Sequence, residues 1–68
     1  MTHTIATVKR DLPKVQIKLM SGKVIEGNIS GRRNKFATVW TKDNYDGWEF
    51  SWQTIVNALN NEQPLRVS

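Results

Sequence analysis

The chain is 68 residues long, carries a formal charge of +4 and contains no cysteine. That length holds one small domain, and without thiols neither a disulfide framework nor a thiolate metal site can support it. No apolar run approaches the roughly 18 residues of a membrane helix, and the first residues lack a signal-peptide pattern, so the expectation is a soluble, cytoplasmic domain with no membrane partner.

Residues 1–12 begin polar and β-branched. They read as a flexible N-terminal segment and a poor helix, from which Ile5 and Val8 can dock. Pro13 sets an extended lead into the domain proper, residues 13–68. Val15 to Met20 is the clearest strand. Val15, Ile17 and Leu19 alternate with Gln16, Lys18 and Met20, the period of two of a half-buried strand. Ser21-Gly22 signals a turn. A second strand follows from Lys23 to Ser30. Gly27 stands between Ile25 and Ile29, where a strand glycine marks a bulge or sharp bend.

Gly31 to Asn34 reads as a loop, and Phe36 to Thr41 as a third strand rich in β-formers. Asp43 to Gly47 reads as a loop ending in the hairpin signal Asp-Gly. Trp48, Phe50 and Trp52 then alternate with Glu49 and Ser51 in a fourth strand. Two readings stay open for residues 52–60. Trp52, Ile55, Val56 and Leu59 have helical spacing, with Ser51 as N-cap and Asn60-Asn61 as the end. The β-branched run Thr54-Ile55-Val56 argues for a strand instead. The helix is favoured. Pro64 breaks what precedes it, and Leu65 and Val67 then add a closing edge strand.

Short strands at about ten-residue spacing indicate a meander curled on itself. The fold class is therefore mainly β: a small SH3-like or Sm-like bent barrel of four to five antiparallel strands with a short C-terminal helix. The stretch Val15-Gln16-Ile17-Lys18-Leu19-Met20-Ser21-Gly22-Lys23-Val24-Ile25-Glu26-Gly27-Asn28-Ile29 resembles the first half of the Sm-like motif, with alternate apolar residues, a turn glycine and a second glycine before another apolar residue. Leu19-Met20-Ser21-Gly22 with the later glycine looks particularly like the bacterial RNA chaperone Hfq. The resemblance covers about fifteen residues. It implies a bent barrel, a ring of several copies and RNA as partner. Beyond Ile29 the chain departs from the pattern. Arg32, Arg33 and Asn34 stand where Sm-like proteins usually carry an aspartate and an asparagine. Trp52 and Gln53 stand where Hfq has the lysine-histidine pair that helps to line its uridine pocket.

Catalysis is not expected. His3 is the one histidine, it lies in the N-terminal segment, and no nucleophile set assembles around it. Asp43, Asp46 and Glu49 do not match a calcium loop and read as turn residues, so no metal and no cofactor is implied. The charge is uneven. Residues 9–42 hold nine basic and two acidic side chains, a balance of +7. Residues 43–68 hold four acidic and one basic, a balance of −3. The densest point is Arg32, Arg33 and Lys35, and guanidinium groups make bidentate phosphate contacts. Trp40, Tyr45, Trp48 and Trp52 supply rings on which bases can stack. A tiny core also needs large side chains, so Trp40, Trp48 and Trp52 are open between core and surface, and Tyr45 is the best exposed ring.

The leading expectation is a non-enzymatic protein that binds RNA or DNA, with Arg32, Arg33, Lys35 and Lys42 on phosphates and Trp40 or Tyr45 stacking. The alternative is a protein-interaction or assembly subunit. In that reading Asp43, Tyr45, Asp46, Trp48 and Glu49 form the ligand side of an SH3-type groove for a protein partner. Homo-oligomer formation through open strand edges is compatible with both.

Overall fold

Among the described residues, 2–11 and 13–67, the computed structural model runs α1 (Ile5–Asp11), β1 (Lys14–Lys18), β2 (Val24–Arg32), β3 (Phe36–Thr41), β4 (Asn44–Ser51), α2 (Trp52–Asn60) and β5 (Leu65–Arg66). Met1, Leu12 and Ser68, which belong to the expected N-terminal segment and domain, lie outside the described residues. The strands form one sheet in the order β4-β3-β2-β1-β5, curled into a half-barrel. The mainly β expectation with a short C-terminal helix is what the chain adopts.

One part of it is corrected. The strands are not all antiparallel, because β5 runs parallel to β1 through Ile17↔Leu65 and Lys18↔Arg66. The reason lies in α2. Three successive antiparallel pairings leave β4 running opposite to β1, and the chain turns back through α2, so the strand after Pro64 runs opposite to β4 and the same way as β1. The sheet keeps β4 and β5 as separate edges.

The helix reading of residues 52–60 holds. Ser51 is extended and its hydroxyl oxygen accepts a hydrogen bond from the Thr54 amide at 3.2 Å. The β-branched run is accommodated because Ile55 and Val56 are buried against the sheet, and tertiary packing outweighs weak propensity. Asn61 caps the C-terminal end through its backbone N–H.

The N-terminal segment was read as a poor helix, but residues 5–11 form α1. Its local signals are weak and its neighbours fix it. The Thr4 hydroxyl oxygen accepts from the Thr7 amide, which caps the first turn. Val8 is buried in the core. The Asn60 side chain accepts from the His3 amide at 2.6 Å and donates to the His3 carbonyl at 3.1 Å, tying the lead-in of α1 to the end of α2.

Two glycine readings shift. Residues 43–47 do not form the expected loop. The β3–β4 turn is tight at Lys42-Asp43, with Thr41 paired to Asn44, and Asn44 to Gly47 already belong to β4. Gly47 has φ +72°, and a Cβ there would run into the Val39 carbonyl oxygen. The Asp-Gly signal therefore marks a bulge, where the register slips between Val39 and Thr41. In β2 the register breaks between Ile29 and Gly31, not at Gly27. Gly27 stays paired with Val15, and two core side chains close over it: a Cβ would lie 2.6 Å from Val39 Cγ1 and 2.9 Å from Ile17 Cγ1.

The core is mostly aliphatic. It contains Val8, Val15, Ile17, Ile29, Ala37, Val39, Ile55, Val56 and Leu65, with Trp52 as its one fully buried ring among the described residues. Trp48 and Phe50, opposite Val39 and Ala37, pack half-buried against it. No helix among the described residues is long and apolar enough to cross a membrane.

Candidate nucleic-acid interface

The alternation of β3 decides what faces outward. Ala37, Val39 and Thr41 are buried, so Phe36, Thr38 and Trp40 lie on the opposite, outer face. Phe36 and Trp40 are half-buried and stand apart from the core cluster. The tight Lys42-Asp43 turn brings β4 back beside β3, and Tyr45 lands against Trp40. Their ring centroids are 5.5 Å apart with a 30° tilt. Tyr45 is 76% exposed, as expected of it, although it sits in a strand and not in a loop. At the other end of the same face, the Arg33 guanidinium lies 5.7 Å above the Phe36 ring. This is cation–π range. Phe36 and Trp40 are four residues apart on one strand, roughly 13 Å. One outer face thus carries an arginine–aromatic pair at one end and a tryptophan–tyrosine pair at the other.

The loop between β2 and β3 is held rigidly for a turn so exposed. The Trp52 indole N–H donates to the Arg33 carbonyl at 2.8 Å, and the Trp52 amide donates to the Lys35 carbonyl at 3.3 Å. The Arg33 amide donates to the Phe36 carbonyl. Lys9 of α1 reaches across with its ammonium to the Asn34 carbonyl and side-chain oxygen at 3.1 and 3.2 Å. Trp52 thereby acts from the core, setting the loop's shape and offering no surface for a base.

Not every expected residue joins this site. Arg32 belongs to β2 and pairs with Ala37, which places it on the core side of the sheet, towards α1. Its Nη1 donates to the Val8 and Lys9 carbonyls at 3.3 and 2.9 Å. Those carbonyls lie in the last turn of the helix, where unpaired acceptors and the dipole favour a cation. Arg32 is a helix clamp. Arg33 and Lys35 remain exposed at the loop, and their side chains make no ion pair with described residues. Lys42 is exposed in the β3–β4 turn, at the Trp40 end of the face.

Lys9 was the residue missed. It counted towards the basic stretch, but its segment read as loose, so nothing tied it to the loop. Its ammonium adds a cation beside Asn34 at the loop. The aromatic residues of the expected acidic-aromatic groove take different sides of β4. Trp48 turns to the core while Tyr45 packs on Trp40 at the outer face.

Comparison with protein-family models, curated proteins and solved structures gave no match.

Proposed function

We propose that this chain is a non-enzymatic binding protein for single-stranded nucleic acid, and that the outer face of β3 is its contact surface. The observation that carries the reading is the shared face. Arg33 over Phe36 and Trp40 against Tyr45 lie along one strand surface, with Lys35 beside one end and Lys42 beside the other. Cations track phosphates, and exposed rings accept bases of any sequence. A duplex hides the faces of its bases inside the stack, so the rings favour a single strand.

Two quantities follow. Each ring that stacks a base contributes about 1–3 kcal/mol by alanine substitution. Each phosphate contact adds roughly 0.7 to the slope of log affinity against log salt for a single strand. The test is a titration of fluorescently labelled single-stranded DNA and RNA by anisotropy across a salt series. Binding that weakens with salt, and that Trp40→Ala and Tyr45→Ala each reduce, is the expected result. Absence of binding to either strand at low ionic strength overturns the proposal.

A further inference from the structure

At the sheet edge away from the aromatic strip, β1 and β5 set two cations side by side. Burial of Val15, Ile17 and Leu65 turns Lys18 and Arg66 to the outer face. The two residues are direct partners in the parallel pairing, so their backbones stand roughly 4.8 Å apart. The Val67 amide donates to the Lys18 carbonyl at 3.2 Å and holds them there. Like charges so placed repel. A carboxylate beside them would relieve the repulsion, yet neither side chain makes an ion pair or hydrogen bond with a described residue. Glu26, the acidic residue on this face of β2, is taken by Lys14 at 3.3 Å.

Both cations line a concavity of about 210 Å³, whose other walls are Leu19, Met20, Gly22 and Val67. No acidic residue is among them. Leu19 and Val67 pack against the core and give it a fixed floor. The volume lies below the roughly 300–1,000 Å³ of small-molecule pockets, so it holds a group of a few atoms and not a whole ligand. We infer that this concavity binds a dianionic phosphate, inorganic or at the end of a monoester. Such a phosphate carries about −1.5 to −2 at pH 7 and three terminal oxygens. The planar Arg66 fork engages two of them and the Lys18 ammonium the third. A carboxylate or a phosphodiester brings one charge and two oxygens, which leaves one cation unneutralised. The inference stands apart from the single-strand reading, since it uses no residue of β3.

The experiment titrates the full chain with inorganic phosphate, methyl phosphate, dimethyl phosphate and acetate at matched ionic strength, followed by amide NMR shifts, well above the second phosphate pKa of about 6. Saturable shifts centred on Lys18, Arg66 and Val67 are expected, with phosphate and methyl phosphate about tenfold tighter than the two monoanions. Lys18→Gln and Arg66→Gln should each weaken phosphate binding about tenfold with unaltered circular dichroism, and Arg10→Gln should not. Melting gives a second readout. Phosphate should raise the Tm of the parent over a chloride control, and neither Gln variant of the pair should show that rise. In chloride both should melt no lower than the parent, because each removes a repulsion. Shifts that do not saturate and spread over all the basic residues, equal affinity for the monoanions, or phosphate binding that survives in both variants overturns the site. An oligonucleotide with and without a 5′-phosphate then separates the sources. Tighter binding of the phosphorylated strand, abolished by Arg66→Gln, assigns the site to a strand end. Equal binding of the two strands, with methyl phosphate still bound, assigns it to small phosphates.

Discussion

Gly27→Ala tests how closely the core packs over β2. An alanine Cβ at this position would sit 2.6 Å from Val39 Cγ1 and 2.9 Å from Ile17 Cγ1. Carbon atoms prefer about 3.5–4.0 Å, so both contacts are short by more than half an ångström. Ile17 and Val39 are fully buried on the two strands flanking β2, and neither has room to retreat. Overpacking of this kind costs roughly 1–3 kcal/mol. Alanine regains about 0.5–1 kcal/mol from the lower entropy of its unfolded chain. The net expectation is a destabilisation of about 1–2 kcal/mol. In a domain of this size each kcal/mol moves Tm by about 4–8 °C. Thermal melting followed by circular dichroism should therefore show a fall of roughly 5–15 °C. Gly31→Ala is the milder comparison, because its Cβ would meet Thr38 Oγ1 at 3.1 Å and Thr38 Cβ at 3.3 Å, longer contacts than those at Gly27 and on the outer face of β3. A Gly27→Ala melt at or above the parent value refutes the claim that close packing fixes this glycine.

Further outcomes separate structural from binding roles. Arg32→Ala removes the donor to the Val8 and Lys9 carbonyls, so urea unfolding should show a loss of about 1 kcal/mol while the salt slope of nucleic-acid binding stays the same. Arg33→Ala should do the reverse, lowering that slope by about 0.7 with Tm nearly unchanged. Thr41→Val replaces a buried hydroxyl that has no partner among the described residues by a methyl of the same shape, and should stabilise the protein by about 1 kcal/mol in urea; a comparable loss would mean that the hydroxyl is bonded. Ser51→Ala removes the N-cap of α2 and should cost about 1 kcal/mol, with Ser51→Gly closer to the parent.

β1 and β3 were legible because each carries its own period, whereas the first half of β4 does not alternate and read as a loop. Val15 and Ile17 in β1, and Ala37 and Val39 in β3, are buried on alternate positions, and the Ser51 cap announced α2 at its true start. Elements held by distant partners were not legible. No local feature of residues 5–11 foretells a helix whose stability comes from burying Val8, from Asn60 on His3 and from Arg32 on its last carbonyls. The same holds for the direction of β5, which depends on where α2 delivers the chain. The site was half legible. Charge density singled out the β2–β3 loop, but a run of cations in sequence does not tell which side of a strand each one takes. The bulge between Ile29 and Gly31 turns Arg32 towards α1 and leaves Arg33 at the outer face, so adjacent arginines take opposite sides of the sheet.

The fate of the aromatic residues follows from the helices. A closed barrel of this size would draw its rings inward, because only large side chains fill so small a space. This sheet is open, and α1 and α2 supply Val8, Trp52, Ile55 and Val56 to the core instead. With four helical side chains plugging the interior, β3 can place small residues inside, Ala37 and Val39, and turn its bulky ones outward. Burying a phenylalanine would gain about 1.5–3 kcal/mol, so leaving Phe36 and Trp40 half-exposed forgoes stability that a closed core would collect. Phe36 and Trp40 stand outside the core cluster, and each already holds a surface partner: Arg33 for the one, Tyr45 for the other. Rings that are neither needed inside nor dispersed on the surface form a flat, cation-flanked strip. A strip of that kind gains most from a ligand that brings both faces to stack and charges to pair, which is the chemistry of a single nucleic-acid strand.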